Sequence, residues 1–123
     1  MGSSDEFVTR YAAVWNETDS GARRKAVADL WAEDGHYANV GQEYRGHEAV
    51  AQAIDEAYED FVSKGFSFTV HSHLKNHDAI RIVWHMVPTG GGDVAAVGTE
   101  FITVDAADRI LTNYQFMDID PGQ

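Results

Sequence analysis

Phe7, Tyr11, Val14 and Trp15 recur at helical spacing, which predicts a first helix running through Asn16, with Ser3 and Glu6 set three residues apart as a capping box. Asp19 or Ser20 can cap a second helix whose apolar face is Val27, Leu30 and Trp31, and Gly35 stands where it should stop. The stretch from His36 to Tyr44 is short and aromatic, with Gly41 suggesting a turn between two brief strands. After Gly46, the residues Val50, Ile54, Ala57, Tyr58 and Phe61 restore a helical rhythm that ends at Ser63, Lys64 and Gly65.

From Phe66 the period becomes two. Phe66, Phe68, Val70 and Leu74 fall on one face and Ser67, Thr69, His71 and His73 on the other. Asn76, His77 and Asp78 make a turn, and Ile80, Ile82, Trp84 and Met86 carry the apolar face back along the next strand. That pairing sets Arg81 beside His73. A turn over Pro88 to Gly92, a strand from about Val94 to Val104, a turn over Asp105 to Asp108 and a last strand from Ile110 to Ile119 complete the chain. The order describes an α+β domain: three helices, then four consecutive strands in an antiparallel meander whose apolar face only the helices can cover. Curvature of such a sheet leaves a hollow against the helices, where a ligand can sit.

The length of 123 residues and a hydrophobic content of 44% suit one domain over residues 1–123 with a single core. There is no cysteine, which excludes disulfides, thiolate metal sites and a cysteine nucleophile. A formal charge of −11 repels phosphate backbones and anionic lipid, so no nucleic acid and no membrane is expected as partner. Part of that charge, Asp55, Glu56, Glu59 and Asp60, reads as the solvated outer face of the third helix. No apolar run reaches the roughly 20 residues of a membrane helix, and residues 1–6 lack signal-peptide character, which leaves a cytoplasmic location as the default expectation.

The segments Arg10-Tyr11-Ala12-Ala13-Val14-Trp15-Asn16, Leu30-Trp31-Ala32-Glu33-Asp34-Gly35-His36-Tyr37 and Tyr44-Arg45-Gly46-His47-Glu48-Ala49-Val50 occur in order. They are followed by Gly98-Thr99-Glu100-Phe101, Asp108-Arg109-Ile110 and Phe116-Met117-Asp118. With these, the chain resembles the SnoaL-like branch of the nuclear-transport-factor-2-like (NTF2-like) superfamily over nearly its whole length. The resemblance implies a cone of three N-terminal helices packed on a strongly curved antiparallel sheet. It does not single out a reaction, because the superfamily holds isomerases, polyketide cyclases, epoxide hydrolases, dehydratases and non-catalytic proteins. Laid against ketosteroid isomerase, Tyr11 falls on the oxyanion tyrosine and Glu100 on the neutral carboxylic acid. The carboxylate base of that enzyme is replaced by Asn39, whose amide accepts no proton at neutral pH.

An inward even-numbered face makes Ile80, Ile82, Trp84 and Met86 an apolar wall, and the family register brings Tyr37, Asn39, Glu100, Ile102, Asn113, Gln115 and Met117 toward the same space. The candidate catalytic residues are therefore Glu100, Tyr11 and Asn39, and the candidate substrate contacts are Tyr37, Trp15, Trp84, Met86, Asn113, Gln115 and Met117. A carboxyl among apolar walls is costly to ionise and suited to carrying a proton; alternatively Glu100 pairs with Arg81 or Arg109, or faces solvent. The two tyrosines either offer hydroxyls to a substrate oxygen or pack as core, while Trp15, Trp31, Phe61 and Trp84 read as core rather than as a cofactor platform. His71, His73 and His85 share an outward parity that permits a metal, but a subunit interface suits that face better, with Val83, Val87, Val97 and Phe101 adding apolar area. No cofactor is called for. The expectation is a small-molecule pocket for an apolar, oxygenated compound, with acid–base cyclisation, isomerisation or hydration as its chemistry, or a non-catalytic binding module. In either case the outer sheet face forms a homodimer.

Overall fold

The computed structural model describes residues 4–121. Three helices, α1 (Ser4–Asn16), α2 (Ser20–Leu30) and α3 (His47–Asp60), pack on one six-stranded sheet. The strands are β1 (His36–Ala38), β2 (Glu43–Arg45), β3 (Phe66–Asn76), β4 (Ala79–Pro88), β5 (Ala96–Val104) and β6 (Ile110–Ile119), in the spatial order β2-β1-β6-β5-β4-β3. All pairings are antiparallel except β1 with β6. This is the α+β arrangement expected from the switch between helical and alternating periodicity.

Local chemistry explains most boundaries. Ser3 lies outside the described residues, and so does the capping box anticipated there. Asn16 ends α1 and docks it, since its side chain exchanges two 2.8 Å hydrogen bonds with the Phe68 backbone at the open edge of β3. Asp19 caps α2 by accepting from the Ala22 amide at 2.8 Å. Gly46 precedes α3 with φ of 88°, a conformation that favours glycine. The third helix does not present its acidic residues uniformly to solvent. Asp55 holds the buried Arg23 of α2 at 3.0 Å, and the Arg23 guanidinium lies 4.3 Å over the Tyr58 ring.

Two departures concern the sheet. Strand β5 begins at Ala96 rather than Val94, because the Pro88–Gly92 loop runs on and pairing with β4 starts only opposite Met86. More consequentially, β3 contains a bulge between Val70 and Ser72. The extra residue reverses the side-chain alternation beyond it. Leu74 therefore pairs with Arg81 and is 61% exposed, not apolar-face core. His73 pairs with Ile82 instead of Arg81 and meets Asp5 of α1 at 2.9 Å.

The core lies between sheet and helices, with Val27, Leu30, Trp31, Val50, Ile54, Ile82, Ile102 and Ile110 essentially inaccessible. No helix among the described residues is long and apolar enough to cross a membrane.

Candidate functional site

Between α1, α3, the β1–β2 hairpin and the inner face of the sheet lies a cavity of about 290 Å³, just below the usual range for small-molecule sites, about 300–1,000 Å³. Sheet register sets its wall: Ile82 lies opposite Glu100, which lies opposite Gln115, while Trp84 lies opposite Gly98 and Gly98 opposite Met117. Met86 continues the wall along β4. From α1, Tyr11 and Trp15 project onto the cavity because four residues separate them on one helix face.

Glu100 is 1% exposed, and neither arginine pairing nor solvent exposure applies. Its Oε2 accepts from Trp84 Nε1 at 2.7 Å, and its Oε1 accepts from Asn113 Nδ2 at 2.8 Å and from the Tyr11 hydroxyl at 3.0 Å. That hydroxyl also lies 2.7 Å from Asn113 Oδ1. One hydroxyl proton cannot serve two acceptors fully. When Glu100 is protonated on Oε1 it donates to the Tyr11 oxygen, Tyr11 donates to Asn113 Oδ1, and each proton has one acceptor. Burial pushes the Glu100 pKa up to about 7, against the three donors that favour the carboxylate. Burial and then the Glu100 charge hold Tyr11 far above the ordinary phenol value, so it stays a neutral donor. Tyr37 is raised by the same two causes, with the neighbouring Asn39 amide opposing them.

The structure brings Tyr11, Trp15, Tyr37, Asn39, Trp84, Met86, Glu100, Gln115 and Met117 to the cavity wall. Asn113 is not on that wall: it is fully buried and hydrogen-bonded to Glu100 and Tyr11. Asn39 has a prior commitment, since its Oδ1 accepts from the Gly41 and Gln42 amides at 3.0 Å and folds the hairpin turn. The three imidazoles considered for a metal do not converge, because the bulge sends His73 to the opposite face while His71 stacks on His85 with centroids 4.3 Å apart.

A family model described as SnoaL-like domain matches residues 8–112. The chain belongs to the SnoaL-like domain family. Among solved structures, this SnoaL-like domain is similar to a candidate isomerase of the SnoaL-like family from Agrobacterium tumefaciens, at 27% identity and TM-score 0.82, covering 91% of this chain and 94% of that one. A candidate SnoaL-like polyketide cyclase from Jannaschia sp. shares the fold at 16% identity and TM-score 0.75, over 93% of this chain and 84% of that one. A protein with a ketosteroid isomerase-like fold from Catenulispora acidiphila, in complex with trimethylamine, does so at 20% identity and TM-score 0.70, over 90% and 84% respectively. No curated protein matches the chain significantly.

Several wall residues of the SnoaL-like domain escape the sequence reading. Tyr44 faces the cavity and donates to Glu56 at 2.8 Å, and Glu56, Asp60 and Asp120 edge the opening. A signal exists for the helical pair, since Glu56 and Asp60 share a face with Ala53 and Ala57, both of which line the cavity. No Lys, Arg or His lies on the wall among the described residues.

Gly98 has a specific task in this domain. A Cβ there collides with the six-membered ring of Trp84, so only glycine lets the indole lie across β5 and reach Glu100. Gly98→Ala is expected to cost about 1–3 kcal/mol through overpacking. By displacing the Trp84 donor it also raises the Glu100 pKa further. Urea unfolding and an NMR titration of the Glu100 carboxyl check both effects; an unmoved titration shows that the indole keeps its bond.

Proposed function

We propose that this SnoaL-like domain binds a small, mostly apolar, oxygenated molecule and catalyses acid–base chemistry on it, of the cyclisation, isomerisation or hydration type. Glu100 carries the proton. The supporting observation is a carboxyl buried to 1% exposure on the wall of an apolar cavity, with a pKa raised to about 7, where it can give or take a proton near neutrality. Four carboxyls and no basic residue on that wall favour neutral or cationic over anionic ligands. The isomerase and cyclase neighbours are consistent with this class of reaction. The test is Glu100→Gln assayed on a panel of polyketide, steroid and epoxide substrates.

One observation favours a second reading, in which the cavity binds without catalysis: both Glu100 oxygens and the Tyr11 hydroxyl are bonded inside the protein. It predicts a ligand that comes off unchanged, so product formed from a bound ligand eliminates it.

Both readings include a homodimer through the outer sheet face. Phe101 and Tyr114 lie directly opposite each other there, Phe116 is on the same face, and all three are exposed. Phe116→Glu is expected to convert the dimer to monomer in sedimentation equilibrium. A wild-type chain that is monomeric at high micromolar concentration removes the proposal.

A further inference from the structure

The Tyr11–Glu100 corner of the cavity is closed by its own hydrogen bonds, and Trp15, Tyr37 and Tyr44 beside it are buried. The aromatic surface that stays open lies toward β3 and the end of α3, where Phe61, Phe68 and Trp84 line the cavity and are only half-buried. Phe61 meets Phe68 at 81° with ring centroids 6.4 Å apart, and Phe68 meets Trp84 at 86° and 5.3 Å. Two successive right-angle contacts set the three rings as walls of an open box, and none of these faces is used up in parallel stacking. The face of an aromatic ring is electron-rich and attracts a cation, most strongly in an indole.

The C-terminal end of α3 adjoins this box. Phe61 directly follows the helix, and Glu56 and Asp60, one turn apart, reach from it onto the cavity wall. A helix C-terminus is the negative end of the backbone dipole, which makes it a poor place for carboxylates, and the last turn of α3 holds no basic residue to offset them. Lys64, in the short 3₁₀ turn Val62–Lys64 that follows, makes no ion pair with them, and Glu56, Asp60 and Asp120 have no cationic partner among the described residues. Open ring faces and an uncompensated helix end thus lack the same thing, a positive charge. An anion is repelled here, and a neutral apolar compound leaves the field of the carboxylates unanswered.

We propose that the cavity receives an organic cation, an ammonium group on an apolar body, with the charge held between the faces of Phe61, Phe68 and Trp84 and the carboxylates of Glu56 and Asp60. The apolar body extends inward along Met86 and Ile82, since Phe68 lies directly opposite Met86 in the sheet register. The inference rests on the acid–base reading of this cavity and adds to it the class of compound that enters.

The probes are phenyltrimethylammonium and tert-butylbenzene, which share a shape and differ by the charge; the first is charged at every pH. Both are titrated into protein labelled with methyl-¹³C methionine, whose Met86 and Met117 methyls lie on the cavity wall. In wild type the cation is expected to move both methyls. In Phe68→Leu its affinity relative to that of tert-butylbenzene is expected to fall by roughly two- to thirtyfold, the span of a cation–aromatic contact. The exposed pair Glu56→Gln with Asp60→Asn is expected to lower the same ratio while leaving tert-butylbenzene binding unchanged. Methyls that respond to tert-butylbenzene and not to the cation overturn the proposal and leave the apolar cavity intact. So does a ratio that neither variant changes. Methyls that respond to neither probe overturn both, because nothing apolar then enters. If Phe68→Leu does not fold, the carboxamide pair decides.

Discussion

Glu100→Gln is expected to lower turnover by about 10²–10⁴-fold, the usual contribution of a positioned proton carrier, while leaving the fold intact. The fold survives because glutamine keeps the volume and planarity of the carboxyl. Its oxygen still accepts from Trp84, and Asn113 can turn its amide over to accept from the new NH₂ group, at the cost of the acceptor that the Tyr11 hydroxyl uses. What disappears is the exchangeable proton. A pH–rate limb near 7, expected from the raised Glu100 pKa, is absent in the variant. Turnover on a true substrate that matches wild type removes Glu100 from the mechanism.

The same substitution has an opposite effect on stability, and the sign follows from linkage. Glu100 has its pKa raised from 4.5 to about 7 by burial, so the native state binds its proton more tightly than the unfolded chain does. Its contribution is fully present below pH 4.5 and is lost as pH rises through about 7. At about 1.4 kcal/mol per pKa unit, the loss is on the order of 3 kcal/mol. The glutamine variant carries no such slope. Urea unfolding at pH 5 and pH 8 should therefore show the variant gaining on wild type at the higher pH. A protein that is inactive and more stable at pH 8 separates catalysis from folding, as expected where a functional group is buried at a cost.

How much of this is legible in the chain depends on which periodicity carries the information. The helices are readable because Phe7, Tyr11, Val14 and Trp15, and later Val50 and Ile54, are apolar at helical spacing and are indeed buried. The inward face of β4 is readable for the same reason, with Ile80, Ile82 and Met86 buried. The bulge in β3 is not, because His71, Ser72 and His73 are all polar and a one-residue insertion among them leaves no mark on the alternation. Only Leu74, apolar on an outward position, records it. At the site, the resemblance carries Tyr11 and Glu100, but their bonding to each other cannot be read from types and spacing. Trp84 as a Glu100 donor is hidden as well, since its reach depends on Gly98 lying directly opposite, which is a matter of register. Glu56 and Asp60 read as solvated because a charge on a helix usually belongs in water.

Trp31→Ala is expected to destabilise the protein by about 3–5 kcal/mol, within the range for deleting a buried aromatic. Trp31 is wholly inaccessible, and four parts of the fold meet on it. It caps α2 in an extended conformation, and a parallel bridge joins it to Ile110 at the start of β6. Its indole N–H donates to the His36 carbonyl at 3.4 Å, while its own carbonyl lies 2.7 Å from His47 Nε2 at the start of α3. Gly35 is shaped around it, since a Cβ there would come within 2.9 Å of the indole and 2.7 Å of the Ile110 carbonyl. Truncation leaves a cavity that backbone on several sides cannot close, which puts the expected cost at the upper part of the range. Against a typical total of about 5–15 kcal/mol, such a loss leaves a marginal protein. The site should loosen with the core, because the Tyr11 ring packs 5.8 Å from Trp31 and loses the surface that aims its hydroxyl at Glu100. Urea unfolding with an unchanged slope measures the first effect, and a shifted Glu100 titration measures the second. A loss below about 1 kcal/mol, small beside the ordinary cost of emptying a core site, would mean that helices and hairpin are held together elsewhere.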